Sequence, residues 1–478
     1  MGLSPYNFEN IIQMGTTTTS SNKPLGVIAL AMISVAAIFS LRNLPVMAEY
    51  GLSSAVFYLL AALVFFVPAS LVCAELATTW PKNGGIYLWV KEALGPRFGF
   101  LTLWFEWTNT IVWFPAVLSY IAATLAYLIA PTLAANKYYM IVMMLGIFWG
   151  VSGLNYFGMR LASWVSGFGI VFGTLVPAVL ILGLGIVWLL SGQVSQISFN
   201  WGALVPHVSL DQSAFLAGLI LSFAGMQIAG FHAQDTANPQ RVFPRAILLA
   251  VVLIVIASTL GTLAIAVVIP QQQISIVAGL MQTFDLFFTT FHLHWLVPVL
   301  ALLTAFGSIA AVNAWLTGPS KGLQYAAQES QLPQVFHSKN RYGMPAGILT
   351  LQALIGTVLS LVYLFLPTVN ASYWFLSALT AQLTMFMYLL LFVAVIVLRY
   401  RHPDVARPYR IPGGKIGVWL AGGLGFAVSL ATIVLGFIPP AQLETGSTLL
   451  YETALLGGIL AFSLPALVLF YRQRKRDS

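Results

Sequence analysis

Apolar segments long enough to cross a membrane recur twelve times along this chain. They cover residues 25–50, 54–76, 99–130, 138–157, 163–190, 213–235, 245–269, 292–322, 346–366, 372–399, 415–438 and 448–471, and they are numbered here as segments 1 to 12. A helix rises about 1.5 Å per residue, so roughly 20 apolar residues span the hydrocarbon core of a bilayer. Of the 478 residues, 59% are hydrophobic and 7% are charged, against roughly 25% charged in an ordinary soluble domain. The sequence therefore predicts an all-α polytopic membrane protein with twelve transmembrane helices.

The distribution of Lys and Arg predicts how these helices are oriented. Cytoplasmic loops of membrane proteins retain basic residues, and all but two of the 21 basic residues fall in alternate loops or in the terminal tails. The exceptions are Lys137, in an opposite loop, and Arg42, inside segment 1. We therefore expect both termini in the cytoplasm. The formal charge of +8 is explained by topology, and no nucleic-acid partner is expected.

Two segments, 1 and 6, are interrupted by small or polar residues. Segment 1 contains SVAAIFSLRNLPVMAEYG (34–51), and segment 6 reads LAGLILSFAGMQIAGFHAQDTANPQR (216–241). Their separation by five segments is typical of an inverted repeat of five helices plus five, followed by two extra helices. Backbone at membrane depth leaves the helix only where it is buried in protein or lines a cavity. The exposed N–H and C=O groups of such breaks suit the carboxylate and the ammonium of an amino acid.

The chain divides accordingly into three regions. Residues 1–22 are a polar tail without the basic stretch and apolar core of a signal peptide. Residues 23–400 form a transport core whose repeated halves are 23–190 and 213–400. Residues 401–478 supply a loop, segments 11 and 12, and a short basic tail. The single cysteine, Cys73, excludes an intrachain disulfide.

Several loop motifs resemble one superfamily of transporters. ELATTWPKNGGIYLWVKEALGPRFGF (75–100), DTANPQRVFPRA (235–246) and GPSKGLQYAAQESQLPQVF (318–336) are similar to cytoplasmic loops of the amino acid–polyamine–organocation superfamily. VIPQQQISIVAGLMQTF (268–284), AWLTGPSKG (314–322) and RYRHPDVARPYRIPGGK (399–415) most resemble the bacterial glutamate/GABA antiporter family. This resemblance implies a bacterial inner-membrane location and a substrate site surrounded by segments 1, 3, 6, 8 and 10.

The resemblance also implies individual site residues. Backbone amides from Ala37 through Ser40 would hold the substrate carboxylate, and carbonyls near Phe223 and Gly225 would receive the ammonium. Trp315 and Tyr388 coincide with family positions that line and gate the pocket. The chain departs from the family at Gln227, where a glutamate is common, and at Arg42, where an aromatic residue is common.

Arg42 permits two interpretations. Segment 1 could end near Leu41, with Arg42 extending to the outer headgroups. Alternatively, Arg42 is a buried cation that faces the cavity beside Asn43, because apolar residues resume after it and an external arginine breaks the charge bias. A buried arginine needs an anionic partner, either Glu106 on segment 3 or a substrate carboxylate. Glu106 could instead be an ion pair or a protonated carboxyl used only for packing.

Segments 6 and 8 supply two further candidates. Gln227 either contacts substrate or satisfies hydrogen bonds at the helix break. Asn313 lies two residues before Trp315, which places the two side chains on different faces of a helix. Only one of them is therefore expected to face the cavity squarely.

These features predict a secondary amino acid transporter rather than an enzyme. The chain has no G-x-x-x-x-G-K-[ST] nucleotide loop, and no cofactor or metal is expected. The expected substrate is an acidic or related amino acid, exchanged for a related amino acid or decarboxylated amine. A proton- or sodium-coupled symporter, a sensor and a channel are alternatives. The expected partners are these solutes and membrane lipid, and the protein is expected to be a monomer or a homodimer.

Overall fold

The computed structural model describes residues 25–81, 85–158, 169, 171–206, 209–232, 236, 238–329 and 334–474. Tail residues 1–22, residues 163–168 of segment 5 and Asp235 lie outside the described part. The α-helices are Val27–Ile38, Leu44–Ala48, Ser54–Ala61, Val67–Thr79, Gly85–Leu94, Pro96–Ala126, Lys137–Tyr156, Val176–Leu190, Trp201–Leu204, Phe215–Ser222, Pro239–Val268, Gly279–Thr290, Leu296–Glu329, Ala346–Ser360, Val362–Phe365, Val369–Arg401, Gly414–Gly436 and Thr448–Arg474. Shorter 3₁₀ and π turns join several of them, and the described residues contain no β-strand.

Ten helices in the described residues are long and apolar enough to cross a membrane. Segment 1 is different, because it consists of two helices, Val27–Ile38 and Leu41–Ala48, which meet at an angle of 45°. Segment 6 contributes only a shorter apolar helix. The prediction of an all-helical polytopic membrane protein is confirmed.

The break in segment 1 is two residues of extended backbone. Phe39 has ψ 123° and Ser40 has φ −138° and ψ 125°, so the helical hydrogen-bond pattern ends with the Phe39 N–H, which donates to the Val35 carbonyl at 2.8 Å. A 3₁₀ turn over Leu41–Asn43 follows, and Pro45 stands in the first turn of the next helix. Proline is suited to that position, because the first N–H groups of a helix have no partner within it.

The break in segment 6 depends on a glycine. The helix Phe215–Ser222 ends, and a 3₁₀ helix then covers Met226–His232. Between them Gly225 has φ +127°, which side-chain-bearing residues rarely adopt. A Cβ atom built on Gly225 would lie 3.1 Å from the Ile38 side chain. The glycine therefore lets the two broken segments approach each other closely.

Segments 3 and 10 lie at the centre of the bundle. In the most apolar 18-residue stretch of Pro96–Ala126, 83% of the residues are buried, and in that of Val369–Arg401, 67% are buried. The corresponding share in segment 12 is 17%. Segments 3 and 10 pack directly against each other, so both are positioned to present side chains to the two breaks.

A buried ion cluster ties the loop after segment 10 to the end of segment 2. The carboxylate of Glu75 pairs with Arg399, lies 3.4 Å from Arg407 Nε, and accepts the Ile411 N–H at 2.8 Å. The three charged side chains are at least nine-tenths buried. Buried charges require such pairing, so this cluster holds the chain where it leaves segment 10.

We expect Gly307→Ala to destabilise the packing of segment 8 on segment 5. A Cβ atom on Gly307 would lie 2.6 Å from the Gly173 Cα atom, and overpacking of this kind costs about 1–3 kcal/mol. The midpoint of thermal unfolding in detergent should therefore fall by several degrees. Gly318→Ala is the matched control, because nothing lies within 4 Å of its added Cβ. Equal midpoints for the two variants would contradict this close approach.

Candidate functional site

A cavity of about 110 Å³ lies where the two broken segments face each other. Its walls come from segments 1, 3, 6, 8 and 10, the five that the family resemblance indicates. A single water needs about 10–15 Å³ of such volume, so this space holds several waters or one small polar solute. Eight of the residues proposed from sequence line it: Ala37, Ser40, Arg42, Asn43, Glu106, Gly225, Gln227 and Trp315.

Two other candidates lie beside the cavity rather than on its wall. The Phe223 ring stacks on Phe66 with centroids 4.7 Å apart. The Asn313 side-chain oxygen accepts a hydrogen bond from Asn155 at 2.6 Å, joining segments 8 and 4. Of Asn313 and Trp315, only Trp315 is among the lining residues.

Tyr388 organises the break of segment 6 from outside the cavity wall. Its hydroxyl accepts the Gly225 N–H at 2.9 Å and donates to the Gln227 side-chain oxygen at 2.6 Å. Its ring packs against Phe65 at 5.2 Å. An unpaired buried N–H is costly, so Tyr388 supplies the partner that the interrupted helix lacks. The Gln227 amide NH₂ group remains available to the Glu106 carboxyl, which it faces.

Arg42 is buried at the turn that follows the break of segment 1. Its residue is only 6% exposed, and its guanidinium lies over the rings of Trp113 and Tyr373 at 5.5 and 5.6 Å. The Nε and Nη1 atoms are buried without a hydrogen-bond partner, and within the described residues Arg42 forms no ion pair. The aromatic faces stabilise the positive charge, but they do not satisfy the N–H groups at the guanidinium edge.

Glu106 is the second charged group on the cavity wall. It is 5% exposed and faces Gln227. In the part of the chain that the structure describes, it forms no ion pair with Arg42. Both charges therefore border the same cavity without neutralising each other directly.

Several residues on the cavity wall were not predicted from the sequence, although their helical spacing from Glu106 or Tyr388 indicates that they share a face with these residues. Asn109, Thr110 and Trp113 line the cavity together with Glu106. Positions three, four and seven residues apart share one face of a helix, so Glu106 could have located all three. Thr380 and Thr384 similarly precede Tyr388 by two turns and one turn of segment 10, and they also line the cavity.

The described residues offer no site for a catalytic or structural metal. No group of three or more His, Cys, Asp or Glu side chains is arranged there to hold a metal ion. The cavity itself presents one cation, one carboxyl group, amides and hydroxyls, which are groups that bind a small charged solute through hydrogen bonds.

Broken apolar helices around a buried polar cavity define the class of membrane carriers. A sequence profile of one such family, described as amino acid permease, matches residues 25–460. The chain therefore belongs to the amino acid permease family and is a transporter, not an enzyme.

Individual relatives cover nearly the whole chain. An uncharacterized transporter of Legionella pneumophila is 42% identical over 442 residues, which are 92% of this chain and 95% of the relative. Two glutamate/gamma-aminobutyrate antiporters of Lactococcus lactis are also similar. The one from subspecies cremoris is 32% identical over 461 residues, covering 94% of this chain and 90% of its own. The one from subspecies lactis is 30% identical over 463 residues, covering 95% and 92%.

We expect Tyr388→Phe to impair both stability and transport. The substitution leaves the Gly225 N–H buried without its partner, which costs about 1–3 kcal/mol, and it loosens the break that borders the cavity. The KM for amino acid uptake should rise about tenfold. Tyr451→Phe is the matched control, because it removes a hydroxyl that donates to the Gly436 carbonyl at 3.2 Å, away from the cavity. An unchanged KM in Tyr388→Phe would contradict the role assigned to this hydroxyl.

Proposed function

We propose that this permease is an amino acid antiporter that exchanges an acidic, glutamate-like amino acid for a related amino acid or its decarboxylated amine. The main support is the unpaired guanidinium of Arg42 on the cavity wall. The two glutamate/gamma-aminobutyrate antiporters of Lactococcus lactis to which the chain is similar support the same pair of substrates. The central site would open alternately to the two sides of the membrane, and the concentration gradients of the two solutes would drive the exchange.

The substrate carboxylate is the natural partner of Arg42. A buried cation without an anion is costly in a membrane protein, and the stacked rings of Trp113 and Tyr373 leave the guanidinium edge unused. Carboxylates bind that edge through two parallel charge-assisted hydrogen bonds. Each solute would therefore supply on arrival the acceptor that the protein lacks.

The opposite end of the substrate would be received by the break of segment 6. Here Glu106, Ala224, Gly225 and Gln227 line the cavity. Free carbonyls at a helix break and a carboxylate both favour a positive charge. A solute with a carboxylate at one end and an ammonium at the other matches this arrangement.

The proposed topology has twelve spans, which are the ten continuous helices and the two broken segments. Ten of these spans form a five-plus-five inverted repeat, and two additional helices follow. An isolated backbone bridge between Leu25 and Thr236 brings the start of segment 1 next to the end of segment 6, and this adjacency supports the proposed inverted pair. The loop charges support a topology with both termini in the cytoplasm, and the similarity to bacterial antiporters supports a location in a bacterial inner membrane.

Replacing Arg42 tests the proposal in proteoliposomes loaded with γ-aminobutyrate. Wild-type protein should take up L-glutamate by counterflow, whereas Arg42→Ala should lose about tenfold or more in glutamate affinity, because a charge-assisted hydrogen bond contributes about 1.5–3 kcal/mol. Arg42→Lys should remain impaired, because a lysine cannot bind a carboxylate through two parallel bonds.

Arg341→Lys is the control for this experiment. Arg341 stacks on Tyr342 in the loop between segments 8 and 9 and does not line the cavity. Wild-type glutamate affinity in both Arg42 variants would refute the substrate contact. Equal uptake into liposomes without internal amino acid would refute exchange and favour coupled symport.

A further inference from the structure

The cavity carries two charged groups that do not pair with each other. Arg42 and Glu106 both line it, both are more than nine-tenths buried, and neither forms an ion pair within the described residues. With both side chains ionised, the empty cavity has no net charge. A solute with a net charge therefore brings uncompensated charge into a buried region, where it is energetically costly.

Zwitterions and acidic amino acids load this cavity differently. A zwitterion with one carboxylate adds no net charge, since its carboxylate pairs with Arg42 and its ammonium lies toward Glu106. A solute with a second carboxylate adds one negative charge. The solute ammonium would then be shared between the Glu106 carboxylate and the second carboxylate of the solute, and one proton on Glu106 restores neutrality.

We propose that Glu106 is a proton-binding site that matches the charge of the cavity to the charge of its cargo. It stays ionised while a zwitterion is bound, and it takes one proton from the open side of the membrane when an acidic amino acid binds. The proton is released with that amino acid on the other side. Each acidic solute thus crosses with one proton and no net charge, and each zwitterion crosses without a proton. This inference rests on the exchange proposed above.

The surroundings of Glu106 suit both protonation states. The Gln227 oxygen is already taken by the Tyr388 hydroxyl, so its NH₂ group faces the carboxyl as a donor and stabilises the ionised form. A protonated carboxyl becomes a donor toward the cavity, where the second carboxylate of the cargo would lie. The charged or titratable groups that share these surroundings in the described structure are Arg42 and the Tyr388 hydroxyl.

The test is to count protons and charges per exchange in proteoliposomes that contain a pH dye and a potassium-diffusion potential. With L-glutamate outside and γ-aminobutyrate inside, the wild type should move one proton with each glutamate, and the rate should not respond to the potential. Glu106→Gln should move no proton, and its remaining exchange should accelerate when the interior is made positive. Glu106→Asp should restore the proton count.

Glu92→Gln is a charge-matched control, because Glu92 lies near His402 at 3.6 Å and outside the cavity; it should keep the wild-type proton count. If Glu106→Gln is inactive, binding to the detergent-solubilised wild type decides, with one proton taken up per glutamate bound and none per γ-aminobutyrate. Proton movement that persists in Glu106→Gln, or a potential-sensitive wild type, would overturn the assignment. Failure of the wild type to show counterflow would instead overturn the exchange function.

Discussion

The need to satisfy an interrupted backbone inside an apolar medium shapes the whole transport site. Segments 1 and 6 leave the helical conformation at membrane depth, where the hydrocarbon core offers no water to replace the lost hydrogen bonds. The protein solves this by placing the breaks together, with Gly225 against Ile38 and the Tyr388 hydroxyl on the Gly225 N–H. The continuous helices of segments 3 and 10 then enclose the breaks, so that the polar cavity is a direct consequence of the interruption.

The electrostatics of that cavity follow from the same confinement. Aromatic rings of Trp113 and Tyr373 stabilise the Arg42 charge but do not accept hydrogen bonds from its edge. The Glu106 carboxyl remains on another part of the wall, facing Gln227. Two charges that were paired would have formed a structural link and closed the space between them. In the described structure they instead border one cavity without forming an ion pair with each other.

The Glu75 ion cluster illustrates the opposite use of buried charge. Glu75 pairs with Arg399 and Arg407 and accepts a backbone N–H, so both of these arginines have a fixed anionic partner. Arg42 differs from these arginines, because within the described residues its guanidinium has no ion pair, and its Nε and Nη1 atoms have no hydrogen-bond partner. The distinction rests on whether a fixed carboxylate pairs with the arginine. Burial is similar in both places, and the Nε atoms of Arg399 and Arg407 also lack a hydrogen-bond partner.

Sequence alone determined the membrane class, the two interruptions and eight residues of the cavity wall, because hydrophobic length and buried polar groups are local properties with large free-energy consequences. It could not decide whether Arg42 pairs with Glu106, whether Asn313 or Trp315 faces the solute, or that Tyr388 supports the break from behind. Those outcomes depend on distances between segments far apart in the chain. Only the packing of the helices sets such distances, because a helix pattern specifies a face but not the neighbour that covers it.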